Sequence, residues 1–301
     1  MINALTIDVE DYFQVTAFEN CIRPDDWGYY PLRVAGNTLR ILDILDEWSV
    51  KATFFILGWV AEKMPALVRE IQKRGHEIAC HGYNHQLIYR IGRNEFRKDI
   101  RKAKHLIEDI GGARVCGYRA PSYSITKKSL WALDILVEEG FDYDSSIFPI
   151  KHDIYGIPDV NRFVGAIRTA AGTILEFPLS TLRIKVANLE YNLPVAGGGY
   201  LRLLPVWFIK QALNHINRCE RQSAVIYFHP WEIDPKQPRI KNAPLKSRLR
   251  HYLNLDKTTL KIKYLLHHFQ FSPMSDVLKA FGPGAGNHAT IDLESSGSAG
   301  I

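Results

Sequence analysis

The segment Glu77-Ile78-Ala79-Cys80-His81-Gly82-Tyr83-Asn84-His85 joins a short apolar strand pattern to two histidines four residues apart. Two imidazoles at this spacing meet on one side of a helical turn, where both can bind one divalent metal ion. A pair of polar surface histidines is the alternative, and the spacing alone does not exclude it. The position favours a metal site, because ligand sites in α/β proteins collect where short buried strands end.

Short runs rich in β-branched and aromatic residues predict the other strands of the fold. With the first segment, the predicted strands are residues 4–7, 52–56, 77–80, 115–118, 174–177 and 225–228. Helical apolar spacing between these strands predicts helices, with Pro65, Asn94, Thr126 and Pro205 at or near their starts. Alternating strands and helices indicate a mostly parallel sheet, either a barrel with its site at the C-terminal rim or a doubly wound open sheet.

The composition is that of a globular protein, with 46% hydrophobic and 23% charged residues among 301. We expect one domain over residues 1–281 and a disordered tail over residues 282–301, which are rich in Gly, Ser and Ala. The chain has no apolar run near the ~20 residues of a membrane-spanning helix and no secretory signal pattern, so we expect a cytoplasmic protein, with association of the protein with a membrane as the alternative.

The net charge of +6 comes largely from the C-terminal third, where basic residues cluster between Lys236 and Lys263. Such a cluster can face an anionic polymer or a membrane surface, but a solvated basic face is the simpler interpretation. The sequence contains neither of the common glycine-rich phosphate-binding motifs, and it gives no indication of nucleic-acid binding. The four cysteines are far apart and predict no disulfide framework.

The first predicted strand ends in Asp8-Val9-Glu10-Asp11, three carboxylates within four residues. These groups repel one another unless a positive charge is near, and Asp8 and Glu10 share one face of a strand. A metal ion that also binds His81 and His85 would relieve this repulsion. Two imidazoles and one carboxylate form a hydrolytic metal-site pattern, whereas a solvated acidic loop is the alternative.

Two further predicted strands end in polar residues that suit catalysis. Arg119 follows the strand at residues 115–118 and is well placed to pair with a carboxylate. His229 directly follows the strand at residues 225–228 and is a candidate general acid. Each residue alone also fits an ordinary role, as a surface arginine or a packed histidine. Their coincidence with the other strand-end sets favours one shared site.

Together these sets resemble the polysaccharide deacetylase superfamily, the NodB-homology group of carbohydrate esterase family 4. The likeness covers roughly residues 3–280, and its motifs are Asp8–Asp11, His81–His85, Arg119–Tyr123 and Phe228–Pro230. The segments 141–149 and 176–180 resemble the branch found with bacterial exopolysaccharide and exosortase gene clusters. The resemblance implies a distorted (β/α) barrel that removes N-acetyl groups from a polysaccharide.

The resemblance also implies a role for each matched residue. Asp8 corresponds to the catalytic base, Arg119 to the arginine that orients it, and His229 to the general acid. His81 and His85 correspond to ligands of a divalent metal, which we expect to be Zn²⁺.

The sequence departs from the family pattern at two places. Many members have a second aspartate after the base, but this chain has Val9, so we expect Glu10 as the third metal ligand and Asp11 as the alternative. No clear Asp-Trp motif follows Arg119, and Asp144 or Glu232 could substitute for it.

Two aromatic residues near these motifs, Tyr123 and Trp231, are candidates for substrate binding. We expect their rings to stack on sugar faces, although core packing suits them equally well.

The expected function is metal-dependent removal of N-acetyl groups from amino sugars of a bacterial exopolysaccharide or its precursor, with an N-acetylated polysaccharide or oligosaccharide as partner. One alternative is hydrolysis of a ring or other amide C–N bond on the same fold. The other is an inactive carbohydrate-binding scaffold. The presence of a base and an acid together argues against the scaffold, because binding alone needs neither.

Overall fold

A nine-stranded sheet forms the centre of the protein and includes all six strands predicted from the sequence. The structure is a computed structural model that describes residues 1–187, 189–195 and 197–279. The strands are β1 (Ile2–Val9), β2 (Thr53–Ile56), β3 (Glu77–Cys80), β4 (Gly117–Tyr118), β5 (Tyr143–Asp144), β6 (Gly165–Thr169), β7 (Gly172–Glu176), β8 (Thr181–Val186), β9 (Leu189–Pro194), β10 (Val225–Phe228) and β11 (Gln270–Ser272).

The strand order in the main sheet is β10-β1-β2-β3-β4-β5-β7-β6, and β11 also pairs with β1. The pairings in this sheet are parallel except for the antiparallel β6–β7 pair. Strands β8 and β9 form a separate hairpin. Because the late strand β10 pairs with the first strand β1, strands that are far apart in the sequence belong to one continuous sheet. This order confirms the predicted α/β fold with a mostly parallel sheet.

The helices bury apolar residues, as the helical spacing predicted, except for α8, whose buried residue is His251. They are α1 (Val34–Glu47), α2 (Gly58–Lys63), α3 (Pro65–Lys73), α4 (Arg93–Gly111), α5 (Trp131–Glu138), α6 (Gly199–Leu203), α7 (Val206–Asn214), α8 (Leu245–Tyr252), α9 (Leu255–His268) and α10 (Met274–Lys279).

The ends of some helices differ from the prediction. Pro65 is the first residue of α3, as predicted, and its fixed φ suits that position. Helix α4 begins two residues earlier than predicted, after Gly92, so Asn94 lies in its first turn and does not cap it. Thr126 does not cap α5 either, because it belongs to a separate turn in which its N–H donates to Ser129 Oγ (2.9 Å).

The barrel is distorted on the side of β10. No ladder joins β10 to β6 among the described residues, but Gly197 forms an isolated parallel bridge with Tyr227. The two backbones approach so closely that a Cβ atom on Gly197 would lie 1.8 Å from the Tyr227 carbonyl oxygen. Only glycine is compatible with this contact.

Some sequence-based expectations concern features other than the sheet. The four cysteines are free thiols. None of the described helices has the length and apolar character needed to cross a bilayer. The predicted tail, residues 282–301, lies outside the described residues.

His76, which precedes β3, gives the fold a testable dependence on pH. Its ring is 5% exposed, its Nδ1 accepts the Ala52 N–H (3.2 Å), and it packs edge-on against Phe54. Burial lowers the pKa of His76 from 6.5 to about 4. The neutral ring therefore stabilises the native state fully above pH 6.5, and this contribution is lost as the pH falls toward 4.

We expect His76 to contribute up to about 3 kcal/mol to the fall in unfolding free energy between pH 7 and pH 4. Urea unfolding of the wild type and of His76→Gln at both pH values measures this contribution. An equal pH-dependent loss in the two proteins would contradict it.

Candidate active site

The C-terminal ends of β10, β1, β3 and β4 lie at one rim of the sheet, with β2 between β1 and β3, and bring the predicted site residues together. Asp8 lies at the end of β1, and Glu10 directly follows that strand. The two histidines follow β3, Arg119 follows β4, and His229 follows β10. Direct contacts link these groups, although they are up to 221 residues apart in sequence. The predicted site residues at this rim are Asp8, Glu10, His81, His85, Arg119, Tyr123, His229 and Trp231.

Glu10, His81 and His85 form a cluster that could hold a metal ion, with one ligand atom of each within 4.8 Å of the others. Glu10 Oε2 is buried and has no hydrogen-bond partner among the described residues, although His85 Nε2 lies 2.7 Å away. A buried carboxylate oxygen without a hydrogen bond is costly unless a cation compensates it. The donor set, two imidazoles and one carboxylate, fits a divalent metal such as Zn²⁺.

The tautomer of His81 suits metal binding. Its Nδ1 lies 2.7 Å from the Arg119 carbonyl oxygen, an acceptor that requires the proton on Nδ1. The lone pair of Nε2 is therefore available to a metal, and such hydrogen bonds commonly orient metal-binding histidines. Burial lowers the pKa of His81 to about 4, so the ring is neutral at pH 7.

The prediction that the two histidines meet on a helical turn is wrong. Residues 81–85 form an irregular loop, in which Gly82 (φ +73°) and His85 (φ +53°) have left-handed backbone conformations. The carboxylate of Asp99, on α4, accepts the N–H groups of Tyr83 (2.8 Å) and Asn84 (3.3 Å) and fixes the loop. A Cβ atom on Gly82 would lie 2.9 Å from Asp99 Oδ2, so the absence of a side chain permits this close contact.

Glu10 and Asp11 have different surroundings, which separates the two candidate ligands. Asp11 accepts the N–H groups of Tyr12, Arg33 and Val34 (2.7–2.9 Å), and so it holds the start of α1. Burial raises the pKa of Asp11 to about 6, although these hydrogen bonds by themselves would lower it. Glu10 faces the histidines instead. Burial alone would raise its pKa, but His85 and His229 lower the pKa of Glu10 to about 2.

Arg119 is fully buried and orients the Asp8 carboxylate. Its Nη1 donates to Asp8 Oδ1 and to Thr6 Oγ1, both at 2.7 Å. Its Nε and Nη2 donate to the carbonyl oxygen (3.1 Å) and hydroxyl (3.0 Å) of Ser145, and the guanidinium lies over the Phe55 ring. Since the Arg119 carbonyl also holds His81, one residue positions a candidate base and a candidate metal ligand.

His229 has the environment of a protonated acid. Its Nδ1 lies 3.0 Å from Glu232 Oε2, and its Nε2 lies 3.6 Å from Glu10 Oε1 and 3.9 Å from Asp8 Oδ2. Burial would lower its pKa, but Glu10 and Glu232 raise the pKa of His229 to about 9. The imidazolium form therefore predominates at pH 7.

Glu232 is the residue that contacts the candidate acid, whereas Asp144 hydrogen-bonds to Ser146. Glu232 is fully buried and accepts a hydrogen bond from Arg202 Nε (2.6 Å). The pKa of Glu232 falls to about 2, because Arg202 and His229 outweigh the cost of burial. Arg202 was not recognised from the sequence, since no motif connects it to His229.

Tyr123 and Trp231 lie against the two carboxylates. The Tyr123 hydroxyl donates to Asp8 Oδ2 (3.3 Å), and Trp231 Nε1 donates to Glu10 Oε1 (3.1 Å). The Trp231 ring is stacked between those of His229 and His251, at centroid distances of 5.1 and 4.1 Å. The exposed fractions of Tyr123 and Trp231 are only 6% and 4%.

A groove of about 250 Å³ opens beside His85. It lies between the segment that follows β1 and the loop that follows the two histidines. The residues that line it include Phe13, Gln14, Arg23, Trp27 and Leu87. Its lining combines apolar and polar side chains.

Two solved structures share this fold. A Mycobacterium smegmatis protein assigned to the polysaccharide deacetylases is similar with a TM-score of 0.57 and 20% identity, over 93% of this chain and 89% of that chain. Puue allantoinase is similar with a TM-score of 0.61 and 13% identity, over 95% and 91%. At these identities the likeness concerns the fold, and it confirms the predicted NodB-type α/β architecture.

Residues 25–137 match the polysaccharide deacetylase family, and residues 145–279 match a domain of unknown function (DUF3473). The first match identifies a polysaccharide deacetylase segment within the chain, in line with the resemblance of its motifs. The first match contains His81, His85 and Arg119, whereas Asp8 and Glu10 precede it and His229 lies in the second. The structure brings the three groups into one site.

Curated relatives carry related descriptions. A peptidoglycan-N-acetylglucosamine deacetylase of Bacillus cereus is 37% identical over 142 residues, which are 43% of this chain and 49% of that protein. A chitooligosaccharide deacetylase of Sinorhizobium fredii is 35% identical over 100 residues, 33% and 44% of the two chains. The chain thus spans about half or less of the length of these relatives.

Proposed function

We propose that the protein is a metal-dependent hydrolase that removes N-acetyl groups from amino sugars of a bacterial exopolysaccharide or its precursor, with residues 1–281 as the catalytic domain. The observation that carries this proposal is the meeting of the Glu10–His81–His85 cluster with Asp8 and His229. The named activities of the relatives support an N-acetylated glycan as substrate.

Different residues of the chain have different roles in the proposed amide hydrolysis. When bound, a divalent cation, which we expect to be Zn²⁺, supplies Lewis acidity and lowers the pKa of a bound water. Asp8, oriented by Arg119 and Tyr123, accepts the proton of the attacking water. His229 donates a proton from Nε2 to the leaving nitrogen, because its Nδ1 is held by Glu232. Without that proton an amine anion would have to leave, which is prohibitive near neutral pH.

Tyr123 and Trp231 keep Asp8 and Glu10 in place in this scheme. Stacking on sugar rings stays a prediction for these two aromatic residues, whose faces are largely covered by other rings. The groove beside His85 is our proposed site for the sugar units next to the reacting acetamide.

Acetate release from N-acetylated oligosaccharides tests the proposed function. We expect release that stops after chelation and returns when Zn²⁺ or Co²⁺ is added back. Ring amides such as allantoin serve as the comparison substrate, since Puue allantoinase shares the fold. Full activity of the metal-free protein, or preferential ring opening, would contradict the proposal. Glycan binding without acetate release at any metal loading would favour the inactive scaffold.

The role of His229 predicts an effect that depends on the leaving group. We expect His229→Ala to lower the rate on an N-acetylated sugar by about 10²–10⁴-fold. The loss on 4-nitrophenyl acetate should be much smaller, because nitrophenolate leaves without a proton. Glu232→Gln should also lower the rate on the N-acetylated sugar more than the rate on 4-nitrophenyl acetate. Its rate loss should be smaller than that of His229→Ala, because the imidazole stays in place. Equal losses on both substrates would mean that His229 does not act as the acid.

A further inference from the structure

Helices α6, α7, α8 and α9 present large apolar side chains to solvent, and α6 also carries Arg202, which contacts His229's partner Glu232. Those of Trp207, Leu245, Leu249 and Leu260 are 62–70% exposed. Exposed apolar residues are ordinary when scattered, but a concentration on adjoining helices indicates an interaction surface. We call these residues, with the cations beside them, the basic–apolar surface; its apolar members are Leu203, Trp207, Leu245, Leu249, Leu253 and Leu260.

Hydrogen bonds from Arg202 and Lys261 hold α6, α8 and α9 together. Arg202 Nη1, on α6, donates to the carbonyl oxygens of Arg250, His251 and Leu253 at the end of α8 (2.8–3.1 Å). Lys261 Nζ, on α9, donates to three carbonyl oxygens of residues 201–204 (2.7–2.9 Å). The basic–apolar surface is therefore preformed, so little ordering would be required for a partner to bind it.

Helix α8 carries an amphipathic pattern that its own buried contacts do not use. Leu245 and Leu249, four residues apart on α8, are exposed, and so is Leu253, which directly follows the end of the helix. Lys246 and Arg250, one position further along, repeat at the same interval and are exposed as well. Residues four apart lie on one side of a helix, so an apolar row lies beside a basic row.

The charge of this region is strongly one-sided. Residues 236–263 contain nine lysines and arginines and a single carboxylate, Asp256. Within the described parts of the chain, Lys263 pairs with Glu47, but Lys246, Arg250 and Lys257 have no carboxylate partner. Cations without partners beside exposed apolar groups complement a surface that is both anionic and apolar.

We propose that the basic–apolar surface docks the protein onto a membrane that contains anionic lipids. Leucine and tryptophan side chains enter the interface between headgroups and acyl chains, and lysine and arginine attract the anionic headgroups. A soluble anionic polymer would account for the cations but not for the exposed leucines and tryptophan. The inference goes beyond the proposed function and does not rest on it.

Sedimentation of the full chain with vesicles tests the proposal. We compare vesicles of pure phosphatidylcholine with vesicles of phosphatidylcholine and phosphatidylglycerol in equal parts. The protein should bind the anionic vesicles and lose most of that binding at high salt. Comparable binding to both vesicle types, or to neither, would overturn the proposal.

Matched variants separate the contributions of charge and apolar contact. Lys246→Gln with Arg250→Gln should weaken binding roughly 30-fold. Trp207→Ser with Leu249→Ser should also weaken binding at least about tenfold, although the charge is unchanged. Arg40→Gln with Arg69→Gln removes two exposed cations from α1 and α3 and should leave binding unchanged.

Two outcomes would assign the surface to another partner and so overturn the proposal. In the first, the Trp207→Ser, Leu249→Ser variant binds vesicles as fully as the wild type, and the protein also binds dextran sulfate tightly. This result would indicate that the partner is an anionic polymer. The other is concentration-dependent dimerisation that the same variant abolishes, in a wild type that does not bind vesicles. Acetate release from soluble oligosaccharides should be the same in all these variants, so a failed docking test leaves the proposed function open.

Discussion

Replacing His81 with alanine is expected to remove tightly bound metal and to lower deacetylation by roughly 10³-fold or more. The buried Nε2 of His81 is oriented by the Arg119 carbonyl, so no mobile side chain can replace it. Metal content after dialysis and acetate release from an N-acetylated oligosaccharide measure the two effects. His105→Ala is the matched control, because His105 is exposed on α4 and should retain both properties.

The two neighbouring carboxylates allow a sharper test of the ligand set. Glu10→Gln should lose metal affinity, since its carboxylate faces the histidines, whereas Asp11→Asn should retain it, because Asp11 holds the start of α1. Wild-type metal content in His81→Ala, or loss of metal in Asp11→Asn but not in Glu10→Gln, would contradict the assignment.

Asp8→Asn is expected to retain the metal and to lose about 10²–10⁴-fold in turnover. The substitution keeps the shape of the side chain, but the amide cannot take a proton from the attacking water. Arg119 would keep its hydrogen bonds to Thr6 and Ser145, so the surrounding structure should persist. Turnover is measured at saturating substrate, together with metal content and thermal unfolding.

A matched control for Asp8→Asn is Asp43→Asn, which changes an exposed aspartate whose partner is Arg74. That variant should behave as the wild type. If Asp8→Asn lost metal to the same extent as His81→Ala, Asp8 would be a ligand and not the base.

Much of the fold could be predicted because its central strands are continuous apolar runs. In β2, all four residues are buried, and such runs stand out in any sequence. Strand β5 has two residues, Tyr143–Asp144, and exists because its neighbours β4 and β7 supply hydrogen-bond partners. Periodicity does not show a strand of that length. The hairpin of β8 and β9 was missed as well, since most of its residues are exposed or half-buried.

The site was predicted where its residues belong to compact motifs and was incomplete where they do not. His81, His85 and Arg119 are recognisable because chemistry demands those residue types at the ends of strands. Arg202 was missed, because its contact with Glu232 depends on how α6 packs beside β10. The predicted conformation of residues 81–85, a helical turn, was wrong. Two histidines four residues apart can also lie in a loop, which here is held by the distant carboxylate of Asp99.

Arg119 alone positions two groups of the candidate site. Its side chain holds Asp8 and its carbonyl holds His81, so any displacement of the end of β4 carries both groups together. We therefore expect thermal breathing of the barrel to leave the spacing of these two groups nearly constant. His229 depends on a separate support through Glu232 and Arg202, so heating should shift its NMR resonances well before those of His81.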